Sequence, residues 1–168
     1  MSMRKAISLL TVILIAFSLF GCSFINRMNK TVQEDPKHIE KENAVQIFEY
    51  LKNEDIESLS GLFSKEAEAK HSIRSEWESF FKRVDGKIVS YKSIRYPGEG
   101  SGKDKDGEVY DSHISVNYVD VTTDNGTVYK EFGYYRVQIS KNDPDSVGLS
   151  VFSMKDPKTG EWITVGGE

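Results

Sequence analysis

The sequence predicts an α+β domain in which helices pack on one face of an antiparallel β-sheet. Apolar side chains recur at helical spacing between residues 44 and 84, and after Gly86 the pattern changes to segments rich in Val, Ile and Tyr. Helices followed by hairpin-linked strands are typical of this class, because each layer buries its apolar face against the other. We expect three N-terminal helices on a curved sheet of about four to five strands.

The three predicted helices are separated by turn and capping residues. The apolar face of the first consists of Ala44, Ile47, Phe48 and Leu51, which have the spacing of one helical face. Asp55 is placed to cap a short second helix, and Ser64 is placed to cap a third. The third helix carries Trp77 and is predicted to end at Asp85-Gly86. The domain is therefore predicted to span residues 38–168 and to begin with a helical layer.

The sequence of the second half of the domain predicts five strands: Lys87–Tyr96, Val109–Thr123, Thr127–Ile139, Val147–Met154 and Trp162–Val165. Pro97 is predicted to end the first strand, and residues 98–108 to form a mobile, glycine-rich, charged loop. Asp124-Asn125-Gly126 favours a tight hairpin turn, because Asn and Gly tolerate positive φ. The second and third strands exceed the usual ~5–6 residues, so they are predicted to bend and to carry bulges.

The N-terminus has the residue order of a secretion signal. Arg4 and Lys5 precede an apolar stretch over residues 6–20, which is shorter than the ~20 residues that a membrane-crossing helix needs. The run Leu19-Phe20-Gly21-Cys22 resembles the lipobox of bacterial lipoproteins, in which the cysteine receives diacylglycerol before cleavage. An uncleaved N-terminal anchor is the alternative.

From this resemblance we predict a signal peptide over residues 1–21, lipidation at Cys22 and a flexible tether up to residue 37. The protein would be attached to the cell membrane through the diacylglyceryl group of Cys22, facing the extracytoplasmic side. Cys22 is the only cysteine, so the chain forms no internal disulfide and has no cysteine nucleophile besides the lipidated residue. Two acyl chains are sufficient for stable membrane attachment.

The charge of the chain argues against nucleic acid as a partner. Cleavage before Cys22 would remove Arg4 and Lys5 from the 22 basic side chains and leave all 26 acidic ones, so the formal net charge would fall from −4 to −6. This sign opposes binding to phosphate backbones and to anionic lipid surfaces.

The predicted arrangement is similar to the NTF2-like superfamily, in which a curved sheet and N-terminal helices form a cone. More narrowly, the chain resembles the uncharacterised lipoproteins of the DUF5104 family. The residues that carry the resemblance are Trp77-Glu78-Ser79-Phe80-Phe81, the strand over residues 114–124 with its Asp-Asn-Gly turn, and residues 143–149. It covers roughly residues 39–165 and implies no known activity.

The superfamily resemblance implies a pocket between the concave sheet face and the helices, where ligands bind by default. The side chains expected to contact a ligand there are Trp77, Tyr118, Tyr134 and Arg136. Some superfamily members are enzymes that use a carboxylate base and a tyrosine donor in an apolar cavity. The resemblance implies no cofactor.

The candidates for similar catalytic roles in this chain are Asp111 and His113 on the second strand, and Tyr134 and Arg136 on the third. Asp111 and His113 lie two apart on one strand, so they share a face, and an Asp beside a His can orient it as a general base. Their face continues through Ser115 and Asn117, whereas the opposite, apolar face is better suited to the core. We therefore predict a solvated pair and assign no catalytic residue.

Both faces of the third strand are rich in aromatic and apolar side chains. Phe132, Tyr134 and Arg136 lie on one face, and Tyr129, Tyr135, Val137 and Ile139 lie on the other. One face is expected to pack on the helices. The other is a candidate homodimer interface, or a half-exposed sheet surface.

The remaining motifs are weak. Residues 104–108 resemble a fragment of a calcium loop but lack its complete ligand order, so no metal site is predicted. Three functions stay open: a module that binds a small ligand or an envelope protein, a small acid–base enzyme, and a structural dimerisation domain.

Overall fold

The computed structural model of the chain describes residues 36–167. The predicted signal peptide, Cys22 and the tether up to residue 35 lie outside the described residues. Helix α1 (Pro36–Lys52) begins two residues before the predicted start of the domain. Proline suits the first helical position, because the N–H that it lacks has no partner within a helix. Over the described range, no helix is long and apolar enough to cross a membrane.

Four helices, rather than the predicted three, precede the sheet in residues 36–167. Helices α2 (Ile56–Ser60), α3 (Lys65–Lys70) and α4 (Ile73–Arg83) follow α1. The predicted third helix is two helices, because His71 has an extended backbone with φ −130° and ψ 148°. Both predicted caps are confirmed: Asp55 accepts a hydrogen bond from Ser58 N, and Ser64 accepts one from Ala67 N.

The strands form two antiparallel sheets. Strands β1 (Ile88–Ser90), β4 (Val121–Thr123) and β5 (Val128–Tyr129) form a small sheet in the order β1-β4-β5. The main sheet has the order β2-β3-β6-β7-β8, with β2 (Ser93–Lys103), β3 (Val109–Val119), β6 (Phe132–Ser140), β7 (Gly148–Lys155) and β8 (Trp162–Gly166). The α+β class with an antiparallel sheet is therefore confirmed.

The prediction of a loop over residues 98–108 is wrong for most of that range. Strand β2 continues through Pro97 to Lys103 and pairs with β3, with a register shift between Arg95 and Gly98. Proline is tolerated here because β2 is an edge strand of its sheet. On the open side of an edge strand, a residue without an N–H breaks no hydrogen bond between strands. Glycine also suits the packing here: a Cβ on Gly100 would lie 2.6 Å from the His113 ring, which would have to move aside.

The two long predicted strands are each interrupted. Asp120, with φ 53°, separates β3 from β4, and residues 130–131 separate β5 from β6. The small sheet consists of the pieces cut off by these interruptions, β4 and β5, together with β1, which a gap over residues 91–92 separates from β2 within the first predicted strand. Tyr129 consequently belongs to the small sheet, where it is buried, and does not share an outer face with Tyr135 as the sequence predicted.

One face of the main sheet is covered by the helices and holds the core. On β3 the buried side chains are those of Ser112, Ile114, Val116 and Tyr118, whereas the alternating His113, Ser115 and Asn117 are half-buried. This confirms which face of β3 is apolar. The Tyr118 hydroxyl donates to the carbonyl oxygen of Ala44 over 2.7 Å, which joins this face to α1.

Candidate functional site

The four side chains predicted to contact a ligand all lie in the core. Trp77 and Tyr118 are fully buried, and Tyr134 and Arg136 are each 4% exposed. The Trp77 ring lies 5.1 Å from that of Phe152, which in turn stacks on Tyr134 at 6.2 Å. The structure thus brings these residues together, but as part of a filled aromatic layer between helices and sheet.

A buried carboxylate, which sequence analysis did not identify, lies beside this layer. Glu40 of α1 has no exposed surface. Its Oε1 accepts a 2.6 Å hydrogen bond from the Tyr134 hydroxyl, and its Oε2 accepts bonds from Gln138 at 3.2 Å and Asn43 at 3.4 Å. The Ser112 hydroxyl donates to Gln138 over 3.0 Å, which extends the network to β3.

Burial changes the acidity of the two tyrosines beside Glu40. Desolvation raises the pKa of Tyr134 well above its ordinary value, and the charges of Tyr118 and Glu40 raise it further. Desolvation also raises the pKa of Tyr118, with Glu40 again contributing. Both phenols are therefore held as neutral hydrogen-bond donors at physiological pH.

An open cavity of about 180 Å³ lies elsewhere, where the end of the main sheet meets α3. Helix α3 contributes Glu66, Ala67 and Lys70 to its lining, together with the flanking Ser64 and His71. Ser150 of β7 and Gly167, which follows β8, complete the lining. We call this the His71 cavity.

His71 is held in place by Glu76 of α4. Its Nδ1 lies 3.3 Å from Glu76 Oε1, and the second oxygen of Glu76 accepts a 2.7 Å hydrogen bond from the backbone N–H of Gly166. A carboxylate only accepts hydrogen bonds, so this contact favours a proton on Nδ1 of His71. The two side chains are only 25% and 29% exposed, so the pair is partly shielded from water.

The backbone around the cavity requires close approach between α3 and the strands. Ser64 N donates to Leu149 O, and Gly167 N donates to Ser150 O. Gly148 has φ +137°, and a Cβ there would lie 2.6 Å from Ser64 N. Glycine at this position therefore allows the start of β7 to lie directly against the start of α3.

The other sequence candidates lie on the outer face of the sheet or in its hairpins. Asp111 and His113 form a pair at 3.8 Å that is about half exposed, as the alternation along β3 predicted. In the hairpin that joins β2 to β3, Asp104 accepts hydrogen bonds from two backbone N–H groups, those of Asp106 and Glu108. Among the residues that the structure describes, no group of three or more His, Cys, Asp or Glu side chains is placed to hold a metal ion.

Residues 46–156, more than half of the chain, match the domain of unknown function DUF5104. The chain belongs to the DUF5104 family. No curated protein matches the sequence. In this DUF5104 domain the matched segment contains the His71–Glu76 pair and Tyr134, whereas Glu40 precedes it and Gly166 follows it.

Sequence reasoning missed both polar groups for an identifiable reason. Glu40 stands among polar residues at the start of α1, and nothing local distinguishes a buried glutamate from a solvated one. The sequence predicts one continuous helix through His71 and Glu76, in which a spacing of five residues places side chains on different faces. Only the break at His71 allows the two side chains to meet.

Proposed function

We propose that this chain is a membrane-anchored extracytoplasmic lipoprotein whose domain, an NTF2-like cone, is a ligand-binding module. The lipobox-like run before Cys22 supports the anchor. Helices that precede and cover one face of a five-stranded antiparallel sheet support the cone. The binding role rests on one observation, the open His71 cavity with its oriented imidazole.

The His71 cavity is better suited to reversible binding than the aromatic layer. A ligand that contacted Tyr118 or Trp77 would have to displace fully buried side chains, at the cost of the packing around them. The His71 cavity is already open, and its imidazole lies against Glu76, which accepts a hydrogen bond from the backbone N–H of Gly166. Preformed concave sites with a few oriented polar groups are the usual form of small-ligand sites.

The anchor is tested by expressing the full chain with an alkyne-labelled fatty acid. We expect label in the membrane fraction for the natural chain, and no label with release from the membrane for Cys22→Ala. Label that persists in Cys22→Ala would contradict lipidation at this residue.

The binding role is tested through the histidine side chains. The chain has only three histidines, His38, His71 and His113, so labelling histidine with ¹³C and ¹⁵N gives few imidazole signals. In the full chain in detergent, we expect one of glycine, acetate, ethylamine, glucose and inorganic phosphate to move the His71 signals saturably. His113, on the outer sheet face, serves as the internal control, and His71→Gln assigns the signals. If no compound moves the His71 signals, this binding role is wrong.

An acid–base enzyme is another function that the sequence leaves open, and Glu40 with Tyr134 is the pair to which its base and donor would be assigned. In the present arrangement the Tyr134 hydroxyl donates to Glu40 Oε1 and both side chains are buried, so a substrate would first have to displace the packing around them. The test is deuterium uptake from D₂O at the α-carbon of small ketones, followed by proton NMR. Exchange that depends on Glu40, and is lost in Glu40→Gln, would favour this candidate over a binding module.

A further inference from the structure

Asn125 is the only asparagine in the chain that precedes a glycine. It lies with Gly126 in the exposed turn that joins β4 to β5, where Gly126 has φ +87°. Asparagine is a thermolabile residue, because the backbone nitrogen of the following residue can attack its side-chain amide. A following glycine has no side chain to hinder that attack. Deamidation therefore meets less steric hindrance here than at any other asparagine of the sequence.

Deamidation at this turn is a reaction of the chain with water alone. The Gly126 nitrogen loses its proton and attacks Cγ of Asn125, so that a C–N bond forms. The side-chain nitrogen then takes up a proton and leaves as ammonia, and a cyclic succinimide remains. Water opens the ring at either of its carbonyl groups and leaves aspartate or isoaspartate in place of the asparagine.

In the folded chain both reacting groups are held in hydrogen bonds. The Gly126 N–H donates to the carbonyl oxygen of Thr123 over 3.0 Å, and this bond is lost when the proton leaves. Asn125 Oδ1 accepts from Thr123 Oγ1 at 2.7 Å and from Thr127 N at 3.1 Å. Asn125 Nδ2, the nitrogen that leaves, donates to Asp85 Oδ1 over 2.7 Å. Ring closure therefore requires that the turn opens and that Asn125 separates from Asp85.

Asp85 is the contact that ties Asn125 to a distant part of the chain, 40 positions earlier in the sequence. Its Oδ2 accepts hydrogen bonds from Lys158 Nζ at 2.6 Å and from Thr127 Oγ1 at 3.1 Å, and its backbone N–H donates to the Tyr129 hydroxyl over 2.7 Å. These contacts fix the carboxylate where it accepts from the amide. Because the Asp85 side chain is 39% exposed and water competes for this bond, we expect a moderate effect on turn opening and not a complete block.

We propose that Asn125–Gly126 is a site of spontaneous deamidation and that Asp85 slows the reaction by holding the amide nitrogen that leaves. The proposal is independent of the binding role of the His71 cavity. Asp85 acts here as a positioning residue, since it takes no part in forming the succinimide.

The product weakens the contact that restrained the reaction. Aspartate in place of Asn125 presents an oxygen to Asp85 where the amide donated a hydrogen bond, and neighbouring carboxylates repel each other. Isoaspartate inserts an additional carbon into the backbone of the turn. The turn then no longer fits the register of β4 with β5, in which Val121 pairs with Tyr129. Deamidation is therefore a one-way change that loosens the small sheet.

The experiment follows Asn125 in the full chain in detergent by peptide mass spectrometry, which distinguishes asparagine from its acidic products. The same chain in urea, at the same pH and temperature, gives the rate for the unfolded turn. In urea we expect Asn125 to deamidate faster than every other asparagine. The folded natural chain should react more slowly than the unfolded one by about tenfold or more.

Asp85→Ala removes the acceptor of the leaving nitrogen. It should raise the rate in the folded chain about threefold or more and leave the rate in urea unchanged. Asp85→Ser takes its place if circular dichroism shows that the alanine variant does not fold. Lys130→Gln is the control, because it removes an ion pair at the other end of the same hairpin, where Lys130 Nζ lies 2.7 Å from Asp120 Oδ1. It should deamidate at the natural rate.

An Asn125 that stays intact in urea, or that reacts as fast in the folded chain as in urea, overturns the proposal. An Asp85 variant that deamidates at the natural rate or more slowly shows that Asp85 does not hold the reaction back. If Lys130→Gln accelerates the reaction as much as the Asp85 variant does, general loosening of the hairpin is the cause and the role of Asp85 is wrong.

Discussion

The hydroxyl of Tyr134 donates a 2.6 Å hydrogen bond to Oε1 of Glu40, across 94 positions of sequence. This contact joins β6 to α1 inside the core, where neither group reaches water. A buried carboxylate is tolerated only when donors satisfy it, and Gln138 and Asn43 supply the other two bonds. The pair therefore helps to fix α1 over the sheet in one arrangement.

Tyr134→Phe removes this hydrogen bond and leaves the ring in place. Because a buried acceptor then loses its shortest donor, we expect the free energy of unfolding to fall by ~1–3 kcal/mol. Urea denaturation followed by circular dichroism measures the change. Tyr135→Phe is the control, since the next side chain points to the opposite, half-exposed face and should change stability by less than ~0.5 kcal/mol. Equal effects of the two changes would show that the contact with Glu40 does not stabilise the fold.

Asp85 connects three loops and should make stability depend on pH. Its carboxylate accepts hydrogen bonds from Lys158, Asn125 and Thr127, which lower the pKa of Asp85 below its ordinary value, with Lys158 the largest cause. A lowered folded-state pKa stabilises the protein above the unfolded-state value of about 3.9, and that stability is lost as the pH falls through the folded-state pKa.

We therefore expect Asp85→Asn to be less stable than the natural chain by a constant amount between about pH 5 and 7. The difference should shrink below about pH 4, as the natural chain becomes protonated. Urea denaturation at a series of pH values checks this. Asp106→Asn, at an exposed position in the β2–β3 hairpin, should leave the pH profile unchanged. If the difference in stability between Asp85→Asn and the natural chain stays constant down to pH 2, the lowered pKa of Asp85 is not the cause.

The α+β class could be predicted from the sequence because the period of the apolar residues changes once, at Gly86. The caps at Asp55 and Ser64 could also be predicted, since they depend on a hydrogen bond to a residue only three positions away. The course of β2 could not be predicted. Its Pro97 and glycines indicate a loop locally, and only pairing with β3 shows that they suit an edge strand. The Glu40 network and the His71 cavity depend on contacts between distant segments, which no local pattern encodes.

Gly133 and Gly61 should respond to alanine in opposite directions. A Cβ on Gly133 would lie 2.0 Å from the Val116 carbonyl oxygen of the neighbouring strand, and backbone cannot rotate away as a side chain can. We expect Gly133→Ala to lose more than ~2 kcal/mol of stability. At Gly61 the nearest atoms are 3.6 Å away and φ is −67°, so alanine should stabilise the protein by ~0.4–1 kcal/mol. Thermal and urea denaturation of both variants measure whether the free energy of unfolding falls or rises. If Gly133→Ala is as stable as the natural chain, β3 and β6 are not packed as tightly as the structure has them.

The two serines that precede α3 and α4 should differ in importance although their sequence positions are equivalent. Ser64 is buried, and its hydroxyl accepts a hydrogen bond from Ala67 N over 3.1 Å. Ser72 is exposed and makes no capping hydrogen bond through its side chain. We expect Ser64→Ala to lower the free energy of unfolding by ~0.5–2 kcal/mol, because an N–H of the first turn loses its acceptor.

Ser72→Ala should change stability by less than ~0.5 kcal/mol, since it removes no contact that holds α4. Hydrogen exchange then gives a local readout that denaturation lacks. The amide of Ala67 should exchange faster in Ser64→Ala and at its natural rate in Ser72→Ala. Because Ser64 also lines the His71 cavity, we expect a loosened first turn of α3 to displace Glu66, which lies in that turn. Ser64→Ala should therefore weaken ligand-dependent shifts of His71 even where the domain remains folded, whereas Ser72→Ala should leave them intact.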